Sequence, residues 1–398
     1  MDIILPVSSG ALERYTLKAG EPLPRRAAGP FNRIAYSAAH VTVNPFADID
    51  PWLKTAVDWD ATLSYRRYLW DLGLGVAEAM DTAQRGMGVD WPTSLELITR
   101  TAAEARAYGA NALLASGVGT DQLANGRDYT IDEIIKAYEE QCTAIHKAGS
   151  RFILMASRAL ARAAARPEDY ARVYDRILSQ SPEPVILHWL GEMFDPALAG
   201  YWGHDDHWKA MDVCLEIIKA NASKVAGIKV SLLSEEKEVS MRARLPAGVE
   251  MYTGDDFNYP TLIAGDGTHH SQALLGIFDA IAPAASAALT ALAKGDRAAY
   301  DRLMDPTVPL SRHIFKAPTQ FYKTGVVFLA WLNGFQSHFT LANGQESARA
   351  TVHLAELFRL ADQAGVLLES ELACTRMCNL MAVRGVEPGV ASARAAAE

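Results

Sequence analysis

Lys229 stands alone in an otherwise apolar, strand-like run, Val225-Ala226-Gly227-Ile228-Lys229-Val230-Ser231. An ammonium in such a run surrenders most of its hydration, and burial favours the neutral amine. A neutral amine held in a cleft can attack a carbonyl carbon, so the chemistry this residue offers is imine formation. The other reading is a lysine whose stem packs on apolar neighbours while its head reaches water. Imine chemistry also needs a group that moves protons. His188 ends the preceding apolar run, Pro184-Val185-Ile186-Leu187-His188-Trp189, and imidazole titrates near neutrality. Asp81 and His270 are the reserves. Carboxylates at Asp81, Glu192, Asp255 and Asp256 accept hydrogen bonds from hydroxyls and repel acids, which points to a sugar or keto-sugar as substrate. Each of them taken singly also fits a solvated loop charge.

These residues must be brought together by the elements that carry them. After a segment ending in Pro22, Pro24 and Pro30, short β-rich apolar runs alternate with amphipathic helical segments, the pattern of parallel βα units. Strands are expected at 33–38, 75–80, 112–116, 151–156, 184–189, 225–231, 249–253 and 268–275. Eight such units close a barrel, and a (β/α)8 TIM barrel gathers its reactive groups at the carboxyl ends of the strands. His40, Asp81, Thr82, His188, Glu192, Lys229, Asp255, Asp256, His269 and His270 fall at or near those ends. Helices are expected at 59–72, 94–108, 131–148, 168–179 and 207–220, with Gly73, Gly109 and Gly149 as left-handed stops. Past the eighth strand the pattern is helical only, at 278–293, 297–304, 321–332, 347–364 and 369–381. The expected organisation is an N-terminal cap over 1–32 with a hairpin at Ser8-Ser9-Gly10, a barrel over 33–304, and a C-terminal helical extension over 305–398 packed on the barrel. Residues 390–398 are alanine-rich and expected to fray.

Composition narrows the function class. A hydrophobic share of 49% and a charged share of 21% fit a globular chain with a sizeable core. A formal charge of −9, from 38 basic and 47 acidic side chains, opposes general binding to nucleic acid or an anionic membrane. Cys142, Cys214, Cys374 and Cys378 show neither a paired metal-ligand spacing nor a disulfide framework, so a reducing cytoplasm is expected. The start of the chain has no basic stretch followed by a long apolar core, and the apolar run at 325–332 is too short to span a bilayer.

Three segments in register carry a family resemblance. The run around Lys229 resembles the sixth-strand motif of the dihydrodipicolinate synthase and N-acetylneuraminate lyase superfamily, in which that lysine forms the substrate imine. Pro184–Trp189 resembles the fifth strand of the same superfamily. Tyr252-Thr253-Gly254-Asp255-Asp256 resembles its seventh-strand Ser-Gly-Asp-Asp loop. The similarity runs from about Asn32 to Met304. The family's Thr-Thr-Gly-Glu loop, which holds a 2-keto acid carboxylate, stands here as Asp81-Thr82-Ala83-Gln84, so Thr82 is the surviving substrate-binding threonine and an acid replaces its neighbour. The family's proton-relaying tyrosine would fall near Ser157 or Arg158, where no tyrosine occurs. The resemblance therefore implies a divergent, functionally unassigned branch of the class I aldolase barrels.

The expectation is a Schiff-base lyase or aldolase acting on a keto-sugar or 2-keto acid. Lys229, His188 and Asp81 would be catalytic; Thr82, Glu192, Asp255, Asp256 and His270 would bind substrate. No cofactor is expected, and the resemblance implies a homo-oligomer. One alternative is a metal-dependent lyase or isomerase acting on a sugar, with a divalent ion held by the Trp202-Gly203-His204-Asp205-Asp206-His207-Trp208 loop together with His188 or Glu192. The other is a barrel that binds a metabolite without chemistry.

Overall fold

A computed structural model describes residues 1–18 and 20–386 of the chain, so the 390–398 segment expected to fray lies outside the described residues. The chain opens on an antiparallel hairpin, β1 (Asp2–Pro6) and β2 (Leu12–Thr16), turned at Gly10, whose φ of +84° suits a residue without a side chain. Eight parallel strands follow: β3 (Ala35–Ala38), β4 (Gly75–Glu78), β5 (Leu114–Val118), β6 (Arg151–Met155), β7 (Val185–Leu190), β8 (Val225–Ser231), β9 (Glu250–Thr253) and β10 (Gln272–Leu275). They pair in chain order, and β10 closes on β3, so the expected (β/α)8 barrel is the fold.

Two apolar layers hold it. Tyr36, Ala77, Ala115, Ile153, Ile186, Tyr252 and Leu274 fill the barrel interior, while alternate residues such as Val76, Leu154, Leu187, Ile228 and Met251 pack outward on the helices. The helices are capped by their own sequence. Thr130 and Glu133 form a capping box at the head of the Ile131–Ala148 helix, and Gly149 ends it in the left-handed conformation.

The strand carrying Lys229 departs from simple alternation. Val185 pairs with Val225, but Ile186 pairs with Gly227, so Ala226 is one residue extra in β8. This bulge changes the face that follows it. Val225 belongs to the outer layer, so it does not share the lysine's face as alternation from Val225 would predict. Past the bulge, Lys229 pairs with His188 on one side and with inward-facing Tyr252 on the other, and all three point into the barrel. A Cβ on Gly227 would lie 2.6 Å from the Tyr252 ring. The space before the lysine is thus taken by an aromatic ring.

The expected 278–293 helix is two, Ile277–Ala280 and Ala282–Ala293, broken at Ile281, with Pro283 in the first turn of the second. Further on, the Thr307–Ile314, Tyr322–Leu332, Thr351–Gln363 and Ser370–Val383 helices pack together. The N-terminal hairpin rests on one of them: Tyr15 donates to Asp362 Oδ2 at 2.7 Å, and Arg359 donates to the Pro6 carbonyl at 3.0 Å. At the other side of this helical group, the stacked rings of Phe315 and Tyr322 lie against Gly276 at the carboxyl end of β10.

Candidate active site

A cavity of about 530 Å³ opens at the carboxyl ends of β4 to β7, where Asp81, Arg85, Ser157, Arg158, His188 and Asp195 line it. Lys229, only 7% exposed, does not itself line this cavity; it sits on β8 paired with His188, which does. It forms no ion pair among the described residues. Burial holds its pKa below the usual lysine value, while Asp256 and Asp81 pull in the opposite direction. Its stem runs past Gly254, where a Cβ would come within 2.7 Å of Lys229 Cε and 2.3 Å of Ser231 Oγ. Any side chain at that position would displace the amine.

Two titratable groups flank the lysine. His188 is fully buried, with Nε2 3.2 Å from Ser231 Oγ and Nδ1 without a partner among the described residues. Burial, reinforced by Lys229, drives its pKa well below the usual imidazole value, so it stays neutral. The near-neutral titration expected of it is absent for that reason. Asp256 supplies such a titration instead. It follows β9, accepts from the Ile277 backbone N–H at 2.9 Å, and is pushed up to about 7 by burial, against the pull of Lys229. Sequence alone placed it among substrate ligands, because its pKa depends on partners contributed by β8 and by the helix that follows β10.

The remaining expected residues divide. Asp81 lines the cavity. Thr82 is buried next to it, its Oγ1 2.8 Å from the Tyr322 hydroxyl. Asp255 instead organises its own loop, accepting from Phe257 N, Asn258 N and Asn258 Nδ2 at 2.8–3.1 Å. Glu192 lies outside the cavity and pairs with His207 Nε2 at 3.1 Å. His270 is at the wrong end of the barrel: β10 begins at Gln272, so His270 sits before its amino end, near Arg33 and Glu250. The 202–208 loop does not gather a ligand set. Asp206 caps the His207–Ala220 helix, and no cluster of three His, Cys, Asp or Glu suited to a metal occurs among the described residues.

The surplus of carboxylates expected at the mouth is also corrected. Arg85, Arg127, Arg158 and Arg162 line the cavity, against Asp81, Asp121 and Asp195. Asp121 is held by Arg85 at 2.6 Å, Asp195 by Arg158 Nε at 2.5 Å, and Arg162 pairs with Asp128, which leaves Asp81, Arg127 and the terminal nitrogens of Arg158 without an ion pair among the described residues. Arg158 entered the sequence analysis only as a place where the family's tyrosine is missing, and Tyr322 and Lys323, brought from the far end of the chain, did not enter it as site residues. The one signal for that pair is a lone lysine at the head of the apolar 322–332 run, the same signal that marks Lys229.

A model of the family described as "Protein of unknown function (DUF993)" matches residues 3–386. No curated protein matches significantly. Among solved structures, dihydrodipicolinate synthase from Aquifex aeolicus is similar with a TM-score of 0.63 at 10% identity, covering 85% of this chain and 99% of that one. The same enzyme from Oceanobacillus iheyensis gives 0.59 at 15% identity, covering 83% and 96%. A putative dihydrodipicolinate synthetase from Pseudomonas aeruginosa gives 0.62 at 15%, covering 83% and 99%. The fold is that of the dihydrodipicolinate synthase barrels, in a divergent form.

Proposed function

We propose that this chain, which belongs to the DUF993 family, is a lyase or aldolase of the Schiff-base type that forms an imine on Lys229 with a small carbonyl compound. The observation that carries the reading is a buried amine with no anion in contact, on β8 of an eight-stranded barrel and turned inward by a bulge near that strand's amino end. A protein gains nothing in stability from such a group, and a neutral amine is the form that attacks carbonyl carbon.

In the proposed sequence, Lys229 Nζ adds to the carbonyl carbon, and the carbonyl oxygen takes up protons and leaves as water. The resulting iminium accepts the electron pair released when a carbon–carbon bond or a β-substituent bond breaks. Asp256, titrating near neutrality beside the amine, carries the protons, and neutral His188 hydrogen-bonds rather than exchanges them. The unengaged Arg158 nitrogens and the four cavity arginines support a 2-keto acid over a neutral keto-sugar. No cofactor enters this scheme. The four free cysteines support action in a reducing compartment such as the cytoplasm, and no described helix is long and apolar enough to cross a membrane. A homo-oligomer is part of the same proposal, and light scattering tests it.

The decisive experiment is borohydride reduction in the presence of a panel of 2-keto acids and keto-sugars, followed by peptide mass spectrometry. A covalent adduct on Lys229, lost in Lys229→Ala, is the expected result. Adducts with none of the panel, or on another lysine, would sink the imine reading.

A further inference from the structure

The connection that follows β3 carries an apolar surface left open to water. Residues 44–56 form a closed loop: Val43 and Val57 pair across its base, the Asn44 N–H donates to the Ala56 carbonyl oxygen at 2.8 Å, and the Lys54 N–H donates to the Asp50 carbonyl oxygen at 3.0 Å. Thr55 Oγ1 donates to the Gly88 carbonyl oxygen at 2.6 Å and fastens the loop to the segment that follows β4. Trp52 keeps one edge of its ring against Gly344, where a Cβ would lie 3.4 Å from Nε1. The loop is thus fixed in shape, yet Phe46 is 90%, Leu53 79% and Trp52 68% exposed. No other eight-residue stretch among the described residues holds three large apolar side chains so open to water. Single exposed apolar residues need no explanation, whereas a group of them on one rigid loop marks a contact surface.

Three features of the loop identify what covers it. Between the loop and residues 340–342 lies a cleft of about 110 Å³, walled by Val43, Pro45, Ala47, Ile49, Leu341 and Ala342. A cavity of roughly 150 Å³ holds a benzene ring, so this cleft takes an aliphatic side chain the size of leucine. Knob and socket therefore belong to the same loop, which is what a twofold contact between identical surfaces needs. Asp48, Asp50 and Lys54 lie among the apolar residues, all exposed and none in an ion pair among the described residues, so two loops laid antiparallel set the lysine of each against the acids of the other. The area also suffices. An aromatic side chain offers about 150–250 Å², which gives the three exposed groups roughly 400–500 Å² per copy. Two copies bring roughly 800–1,000 Å², and the loop around them carries the total to the roughly 1,000 Å² of a specific interface.

We propose that the 44–56 loop is a self-association surface: two copies of this chain pair loop to loop about a twofold axis, Leu53 of each seated in the cleft of the other, with Phe46 and Trp52 packed around it. The pairing gives the homo-oligomer of the preceding subsection a surface and rests on that part of it alone.

The test is sedimentation velocity of the full chain from about 0.5 to 50 µM, with a thermal melt of each variant as the control for folding. Wild type is expected to associate within this range. Phe46→Asp and Leu53→Asp replace side chains that are open to water in the single copy, so both are expected to melt cooperatively and to weaken association by about tenfold or more. Lys54→Glu sets like charges together and is expected to weaken it as well, while Asp48→Lys and Asp50→Lys added to Lys54→Glu restore opposite signs and the association with them. A wild-type chain that is monomeric at about 50 µM overturns the proposal and the homo-oligomer together, including the case in which the monomer sediments with phosphatidylcholine vesicles through this loop. Association that Phe46→Asp, Leu53→Asp and Lys54→Glu leave intact overturns this surface alone, as does a charge swap that fails to restore it. Neither result bears on the imine at Lys229.

Discussion

A lysine held almost out of water without an anion in contact is a stability cost, and replacing it by an apolar side chain of similar length should recover that cost. Lys229→Met is expected to raise stability by about 1–3 kcal/mol in chemical denaturation while abolishing adduct formation. A variant that is less stable than wild type would show that the amine has a structural partner. Asp256→Asn tests proton transfer: kcat should fall by about 10²- to 10⁴-fold with Lys229 still trappable. Asp256 is pushed up to about 7, so its acid form is lost as pH rises through that value. A descending limb near neutrality in the pH–rate profile should therefore disappear in Asp256→Asn. Lys229 was legible in the sequence because one charged residue in an apolar run is a local signal. Asp256 was legible as a position but not as a proton carrier, since its titration is set by burial against Lys229 and the Ile277 N–H, which arrive from β8 and from beyond β10.

Strand order and number were readable because each barrel strand is a short apolar run set off by helices, and all eight fell within a few residues of their observed places. What failed was local register. The eighth run was read from residue 268, but pairing starts at Gln272, so two histidines slid from the mouth to the base. The bulge at Ala226 was invisible for the same reason: the pairing partner, not the sequence of β8, reveals it. Short helices such as Arg158–Ala163 and Thr307–Ile314 were missed because six to eight residues give too little periodicity to stand out. Gly254 tests the strand geometry directly. Gly254→Ala would force its methyl against Ser231 Oγ and Lys229 Cε, and the expected outcome is a destabilisation of about 1–3 kcal/mol with loss of the borohydride adduct at Lys229. A retained adduct would mean that the lysine does not run past this glycine.

At the scale of the whole molecule, the helices after the barrel are joined by a group sensitive to acid. His313 and His353 stack with ring centroids 4.1 Å apart, and His313 Nε2 lies 2.9 Å from the His353 carbonyl oxygen. Both His353 ring nitrogens lack partners among the described residues; burial, aided by His313, Arg349 and Lys316, pushes its pKa down to about 2. The folded state thus refuses a proton that the unfolded chain accepts at about 6.5, so the stability this histidine confers is complete above that pH and declines on acidification, by up to about 1.4 kcal/mol per pH unit. Thermal melts should show that decline below about pH 6.5, and His353→Leu should flatten it. An unchanged slope would place the acid sensitivity elsewhere, His188 being the other strongly depressed histidine. The clasp between β2 and the Thr351–Gln363 helix bears on how the chain is made. Tyr15 and Asp362 are 347 residues apart, so the β1–β2 hairpin waits for its seat until the Thr351–Gln363 helix has been translated. Tyr322 emerges only shortly before that seat, so Thr82, just past the carboxyl end of β4, gains its hydroxyl partner only after every barrel strand has been translated.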